Sequence, residues 1–224
     1  MVWAVWKWTF AGEIATRLRV RASFVNIDAG GGLDALLGDQ YDMILAGLSA
    51  APDLQKRIAF SAPYFDDGPI ALLRADSCPL QLNLAGVVIG TEIGSDGDQA
   101  ARRLLAGRDE ISLRRFDERS ELLRALRSGE IGAVILDGTS ARLARRDHPG
   151  LCLASEPLRN RPLAIALQRR NLDLRFAVDE VLADLATSGW LRSLEQKWTG
   201  TSETSGSALD NATWRSLPRM CRWC

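Results

Sequence analysis

The alternation of apolar and polar positions divides most of the chain into short strands and amphipathic helices. Ile14, Ala15 and Leu18 recur at helical spacing, so residues 12–19 read as a helix with one apolar face. The run ASFVNI at 22–27, rich in aromatic and β-branched residues, reads as a strand. A glycine turn at 28–32 and a short helix at 33–37 follow, and then a buried strand at 43–48. Pro52 stands at a favoured first helical position and predicts a helical turn over 52–57, after which Ser-x-Pro-Tyr-Phe at 61–65 reads as a turn. From residue 70 the pattern is regular. Strands at 70–74, 87–91, 111–116, 133–136, 151–154 and 163–167 are interspersed with helices at 99–105, 119–127, 140–145 and 172–186. Gly189 ends the last of these, and 190–198 make a final helix. Residues 201–224 are polar and without period, as expected of a disordered tail. Strands alternating with helices imply crossover units, hence an α/β fold with mostly parallel sheet.

Three places in this pattern bear on chemistry. The strand at 43–48 runs out into Ala46, Gly47 and Ser49, and small residues there let something approach the backbone, although a tight turn needs the same residues. Gly94, Ser95 and Asp96 lie between a strand and a helix N-terminus, where free backbone N–H groups and the helix dipole suit an anionic group. Asp137 ends the strand AVILD; it either faces a ligand or caps the helix that begins near Ser140. In open α/β sheets ligands sit outside the carboxyl ends of the strands, where all three places fall.

Composition narrows the class. The 224 residues suffice for one large domain or two small lobes, and 46% apolar with 25% charged residues is ordinary globular usage. Twenty-eight basic residues balance 28 acidic ones, so no basic excess argues for nucleic acid as a partner. No apolar run approaches the ~20 residues that cross a bilayer. The start, MVWAVWKWTFAGE, is Trp-rich and interrupted by Lys7, so it reads as no intact signal peptide; a chain beginning downstream of its own signal would look the same. Cys78 and Cys152 read as separate buried thiols, and Cys221 and Cys224 as an incidental pair. With His148 the only histidine, no metal site and no cofactor is expected.

The segments YDMILAGLS…P…IAFSAPYF, AGVVIGTEIGS, LLRALRSGEIGAVILD and DLATSGWLRSLEQKW resemble, in order and spacing, the extracellular solute-binding proteins of family 3, the amino-acid-type receptors of ABC importers. The similarity covers roughly residues 10–199. It implies a two-lobed, type II periplasmic-binding-protein-like fold with two mostly parallel sheets joined by a two-strand hinge. One lobe is expected from 1–75 plus 162–200 and an inserted lobe from 76–161, with the crossings at the breaks Asp76-Ser-Cys-Pro79 and Arg159-Asn-Arg-Pro162. The implied function is capture of a small polar solute in the inter-lobe cleft by a monomer that delivers it to a membrane permease. The implied place is the periplasm or extracellular space, if the true start lies upstream. Gly47, Ser49, Arg57, Gly94, Ser95, Asp96 and Asp137 are the implied ligand contacts, with Asp137 on an α-amine.

The departures from the family text bear on specificity. Where the family has Ser-x-Thr-Pro-Glu-Arg, this chain has Ser49-Ala50-Ala51-Pro52-Asp53-Leu54, so the Thr and the carboxylate-gripping Arg are replaced by Ala51 and Leu54. Arg57 lies one helical turn further on, and the usual stacking aromatic is Leu33. The first family strand is missing or replaced by MVWAVWKW, so a standard α-amino acid is not the expected ligand. Three alternatives remain: a cytoplasmic effector-sensing domain, a cyclohexadienyl-dehydratase-like enzyme on the same fold, and a truncated product without function. For catalysis only Glu92 and Asp96 offer an acid/base pair, so no enzyme is expected.

Overall fold

A computed structural model describes residues 2–26, 29–78, 84–106 and 112–200. The elements are α1 (Val2–Leu18), α2 (Ala29–Leu37), β1 (Met43–Ser49), α3 (Pro52–Gln55), β2 (Ala59–Asp66), β3 (Ile70–Arg74), β4 (Val88–Glu92) and α4 (Asp96–Leu105). They continue with β5 (Ser112–Phe116), α5 (Arg119–Ser128), β6 (Ala133–Leu136), α6 (Gly138–Asp147), β7 (Leu151–Leu153), β8 (Pro162–Leu167), α7 (Leu172–Thr187) and α8 (Trp190–Thr199). Among the described residues the chain divides into two compact units, one from Val2–Asp66 with Pro162–Leu194, the other from Asp67–Arg161 with Glu195–Gly200, the last six having been expected with the first lobe. Residues 67–75, expected with the first lobe, therefore belong to the second, because β3 pairs with β6 and β7. The expected tail, 201–224, lies outside the described residues.

The first unit holds a three-stranded sheet in the order β1-β8-β2. Both pairings are antiparallel, which corrects the expectation of mostly parallel sheet here. The reason is in the connection: the chain leaves this unit at Asp66 and returns at Pro162, and these two residues face each other in the ladder. A strand that re-enters beside its own exit must run backwards along it. The Ser-x-Pro-Tyr-Phe text is part of β2 rather than a turn; the register shifts around Pro63, which has no N–H to give the ladder.

The Trp-rich start is helical, and α1 begins ten residues before the expected helix. Trp6, Phe10 and Ile14 recur every four residues and are all buried, so they form one stripe. Phe10 and Trp6 meet Tyr64 at ring-centroid distances of 4.9 and 5.8 Å. Residues 21–26 form no strand, although their composition suits one; they are exposed and join no ladder, and residue 27 lies outside the described residues.

The second unit is a five-stranded sheet in the order β5-β4-β6-β3-β7. Here β5, β4 and β6 are parallel, as crossover helices require, and β3 is antiparallel to β6 and β7. All four residues of β6 are buried. Two glycines set the packing. A Cβ on Gly90 would come within 2.5 Å of side-chain atoms of Leu122 and Ile131, and one on Gly97 within 2.2 Å of the Ile135 carbonyl. Gly97 thus lets the first turn of α4 lie on the backbone of β6.

Cys78 and Cys152 form a disulfide, with Cα atoms 6.3 Å apart, and are not separate thiols. They are 74 residues apart in sequence, and the β3–β7 ladder, which pairs Leu73 with Cys152, brings them together. Among the described residues, no helix is long and apolar enough to cross a membrane.

Candidate functional site

In the first unit, β1 ends as its small residues suggested. Gly47 has φ +67°, a conformation that L side chains rarely adopt. The Ser49 hydroxyl is enclosed and has no hydrogen-bond partner among the described residues. Ala51 is the N-cap residue of α3 and brings no side-chain cap. Leu54, at the position of the family's arginine, packs with Leu33 against a buried group formed by Leu36, Ile44, Ile58 and Ala166. Arg57 is exposed, and its backbone N–H bonds the Leu54 carbonyl at 2.9 Å.

In the second unit, β4 and β6 are parallel neighbours, so the helices that follow them begin at the same sheet edge. Gly94, at φ +76°, turns the chain into α4. Ser95 is the N-cap: its hydroxyl accepts from the Asp98 N–H at 3.0 Å. Asp98 is fully buried and accepts two bonds from Arg115 at 3.0 Å and one from the Gly94 N–H at 3.2 Å. Burial alone would raise its pKa, but the bonds from Arg115, Gly94 and Thr91, with the charge of Arg102, hold the carboxyl below its ordinary value. The loop that carries Gly94 and Ser95 is thereby fixed.

Asp137 is the N-cap of α6, and its Oδ1 accepts from the Ser140 N–H at 2.8 Å. Both readings of this residue survive, since one carboxylate oxygen caps the helix and a carboxylate has further acceptor capacity. Arg119 crosses the same edge, donating to Glu92 at 2.9 Å and to the Ser140 hydroxyl at 2.8 Å.

Three residues beside Asp137 escaped the sequence reading. Asp67 Oδ1 accepts from both the N–H and the hydroxyl of Thr139 at 2.7 Å. Arg161 donates through Nη1 to Asp67 at 3.1 Å and through Nε to Asp96 at 3.2 Å. Burial, aided by the charge of Asp137, raises the Asp67 pKa to about 6 against the pull of Thr139 and Arg161. The available signal was a charged residue just before each chain crossing, in Asp66-Asp67-Gly68-Pro69 and Arg159-Asn-Arg161-Pro162.

Arg161 thus joins Asp67 to Asp96, and Asp137, whose charge acts on Asp67, starts the neighbouring helix. Such a set favours a cationic or hydrogen-bond-donating group. Among the described residues, no group of three His, Cys, Asp or Glu side chains is placed to hold a metal ion. His148 is the C-cap residue of α6.

The family model of bacterial extracellular solute-binding proteins, family 3, matches residues 7–201, and the chain belongs to that family. It is 27% identical over 199 residues to the L-cystine-binding protein TcyJ of Escherichia coli (strain K12), covering 87% of this chain and 74% of that protein. It is also 27% identical over 173 residues to a cyclohexadienyl dehydratase of Pseudomonas aeruginosa, covering 71% and 61%. The family's relatives thus include enzymes as well as binding proteins. Among solved structures, an ancestral cationic amino acid solute-binding protein matches with a TM-score of 0.71 at 22% identity over 87% of this chain and 85% of that one, which shows the two-lobed type II fold.

Proposed function

We propose that this family 3 protein captures a small cationic or neutral polar solute outside the cytoplasm and delivers it, chemically unchanged, to the membrane permease of an ABC importer. The observation that carries this reading is the joining of Asp67 and Asp96 through Arg161, with the charge of Asp137 acting on Asp67, at the starts of α4 and α6. Asp137 takes the cationic group of the solute, while Gly94, Ser95 and Asp96 line its second-unit side. Gly47, Ser49 and Arg57 are the first-unit contacts. The L-cystine-binding relative supports an amino-acid-like solute. Against a free α-carboxylate stand Ala51 and Leu54, which leave the first unit without a side-chain anion clamp, and a buried unpaired charge costs several kcal/mol. The Cys78–Cys152 disulfide supports an oxidising compartment. The protein acts as a monomer.

Thermal-shift screening tests this, because a bound solute stabilises by RT ln(1 + [L]/Kd). Agmatine and putrescine, which lack a carboxylate, are expected to raise the Tm more than L-cystine or L-arginine at equal concentration. A clear shift with an ordinary amino acid at micromolar concentration would overturn the specificity and make Arg57 the substitute clamp. Incubation of a bound solute followed by mass spectrometry should return it unaltered; a converted product would make the chain an enzyme.

A further inference from the structure

Asp67 sits where the two crossing segments and the two helix N-termini of the second unit meet. It is 6% exposed. Its backbone N–H donates to the Arg161 carbonyl at 3.0 Å, which ties one crossing segment to the other. Its Oδ1 holds the first turn of α6 through Thr139, and its Oδ2 holds Arg161, whose other edge holds Asp96 in the first turn of α4. A carboxylate this enclosed is costly, and a purely structural joint would be better served by an uncharged acceptor.

We infer that Asp67 is a positioning residue for solute binding: ionised, it holds the first turns of α4 and α6 in the binding arrangement through Thr139 and Arg161, and protonated it releases Arg161. This rests on the reading that the second unit binds the solute through Asp96 and Asp137. The groups facing Asp67 are Thr139 and Asp137 at the start of α6, Arg161 on the returning segment, and, through Arg161, Asp96 on α4. Arg142, whose guanidinium lies against Gly138, is paired with Glu195 at 3.2 Å. The ionised state belongs to pH above about 6, because burial and the charge of Asp137 raise the carboxyl to that value. On protonation the carboxyl still accepts from Thr139 but no longer pairs with the Arg161 charge. The cluster then carries one negative charge fewer, and a cationic solute is held less well.

The test uses the full chain and its Asp67→Asn variant. In carbon-detected NMR, the Asp67 carboxyl should titrate near 6, and the amide resonances of Thr139, Ser140 and Asp96 should move with the same midpoint. In the variant those amides should no longer show that midpoint. In calorimetry, agmatine should bind the wild type about tenfold more weakly at about pH 5 than at about pH 7.5, the ratio of ionised Asp67 at the two values. The variant should bind it weakly and equally at both. An Asp96 amide that ignores the Asp67 titration overturns the inference, as does wild-type affinity that is flat with pH. If agmatine does not bind the wild type at all, the proposed solute class fails, and the amide titration alone decides whether Asp67 positions the two helices.

Discussion

Asp137 Oδ1 accepts a hydrogen bond from the Ser140 N–H at 2.8 Å, so the carboxylate proposed to receive a solute's cationic group also starts a helix. The two roles separate by substitution. Asp137→Ala should cost about 1 kcal/mol of stability from the lost cap and a further 1.5–3 kcal/mol of solute affinity, the scale of a charged hydrogen bond. Asp137→Asn keeps a capping oxygen, so it should restore stability but not affinity. Urea unfolding alongside calorimetry reads both; affinity kept by either variant would leave Asp137 as a cap alone.

Leu54 decides the second expectation. Because it packs against Leu36, Ile44 and Ile58, Leu54→Arg should cost about 1 kcal/mol of apolar burial. The same change returns a guanidinium to the family's anion-clamp position. Binding of L-arginine or L-cystine should therefore appear or strengthen by tenfold or more, as a Tm shift absent from the wild type. Folded variant protein that binds neither would show that the clamp needs more than this one side chain.

The Cys78–Cys152 disulfide closes a loop of 74 residues that contains most of the second unit. Chain-entropy arguments put its contribution at about 4 kcal/mol. In a Cys221→Ser/Cys224→Ser background, the oxidised protein should show no reactive thiol, and reduction or Cys152→Ser should lower the Tm by about 10 °C. Two free thiols in protein purified from an oxidising compartment would contradict the bond.

Asp67 also sets a pH dependence of stability. Its folded-state pKa of about 6 lies above the ordinary 3.8, so the folded chain holds this proton more tightly than the unfolded one. That contribution is full below the ordinary value and is lost as pH rises through about 6. Relative to Asp67→Asn, wild-type stability should fall by about 3 kcal/mol at most between about pH 4 and about pH 7.5. Solute affinity should change in the opposite direction over the same window. Urea unfolding across this range is the measurement, and a flat difference between the two proteins would remove Asp67 as the titrating group.

What the sequence determined by itself is the local pattern and, through it, the family. AVIL at 133–136 is a wholly buried strand, Pro52 does begin a helix, and Gly189 does separate α7 from α8. Residues 94–96 announced a helix N-terminus, and Ser95 is its cap. Each of these depends on neighbours a few residues away, which periodicity and capping chemistry report directly. The remainder depended on partners far along the chain. The strand-like residues 22–26 join no ladder, while residues 61–65, which read as a turn, extend β2 because β8 returns beside it. Cys78 meets Cys152 only through the β3–β7 register. Asp67 and Arg161 looked like polar loop residues until the two crossings were laid side by side, 94 positions apart in the chain. A strand, a disulfide and a buried ion pair each need a second residue to supply what the first lacks, and only the tertiary structure chooses that residue.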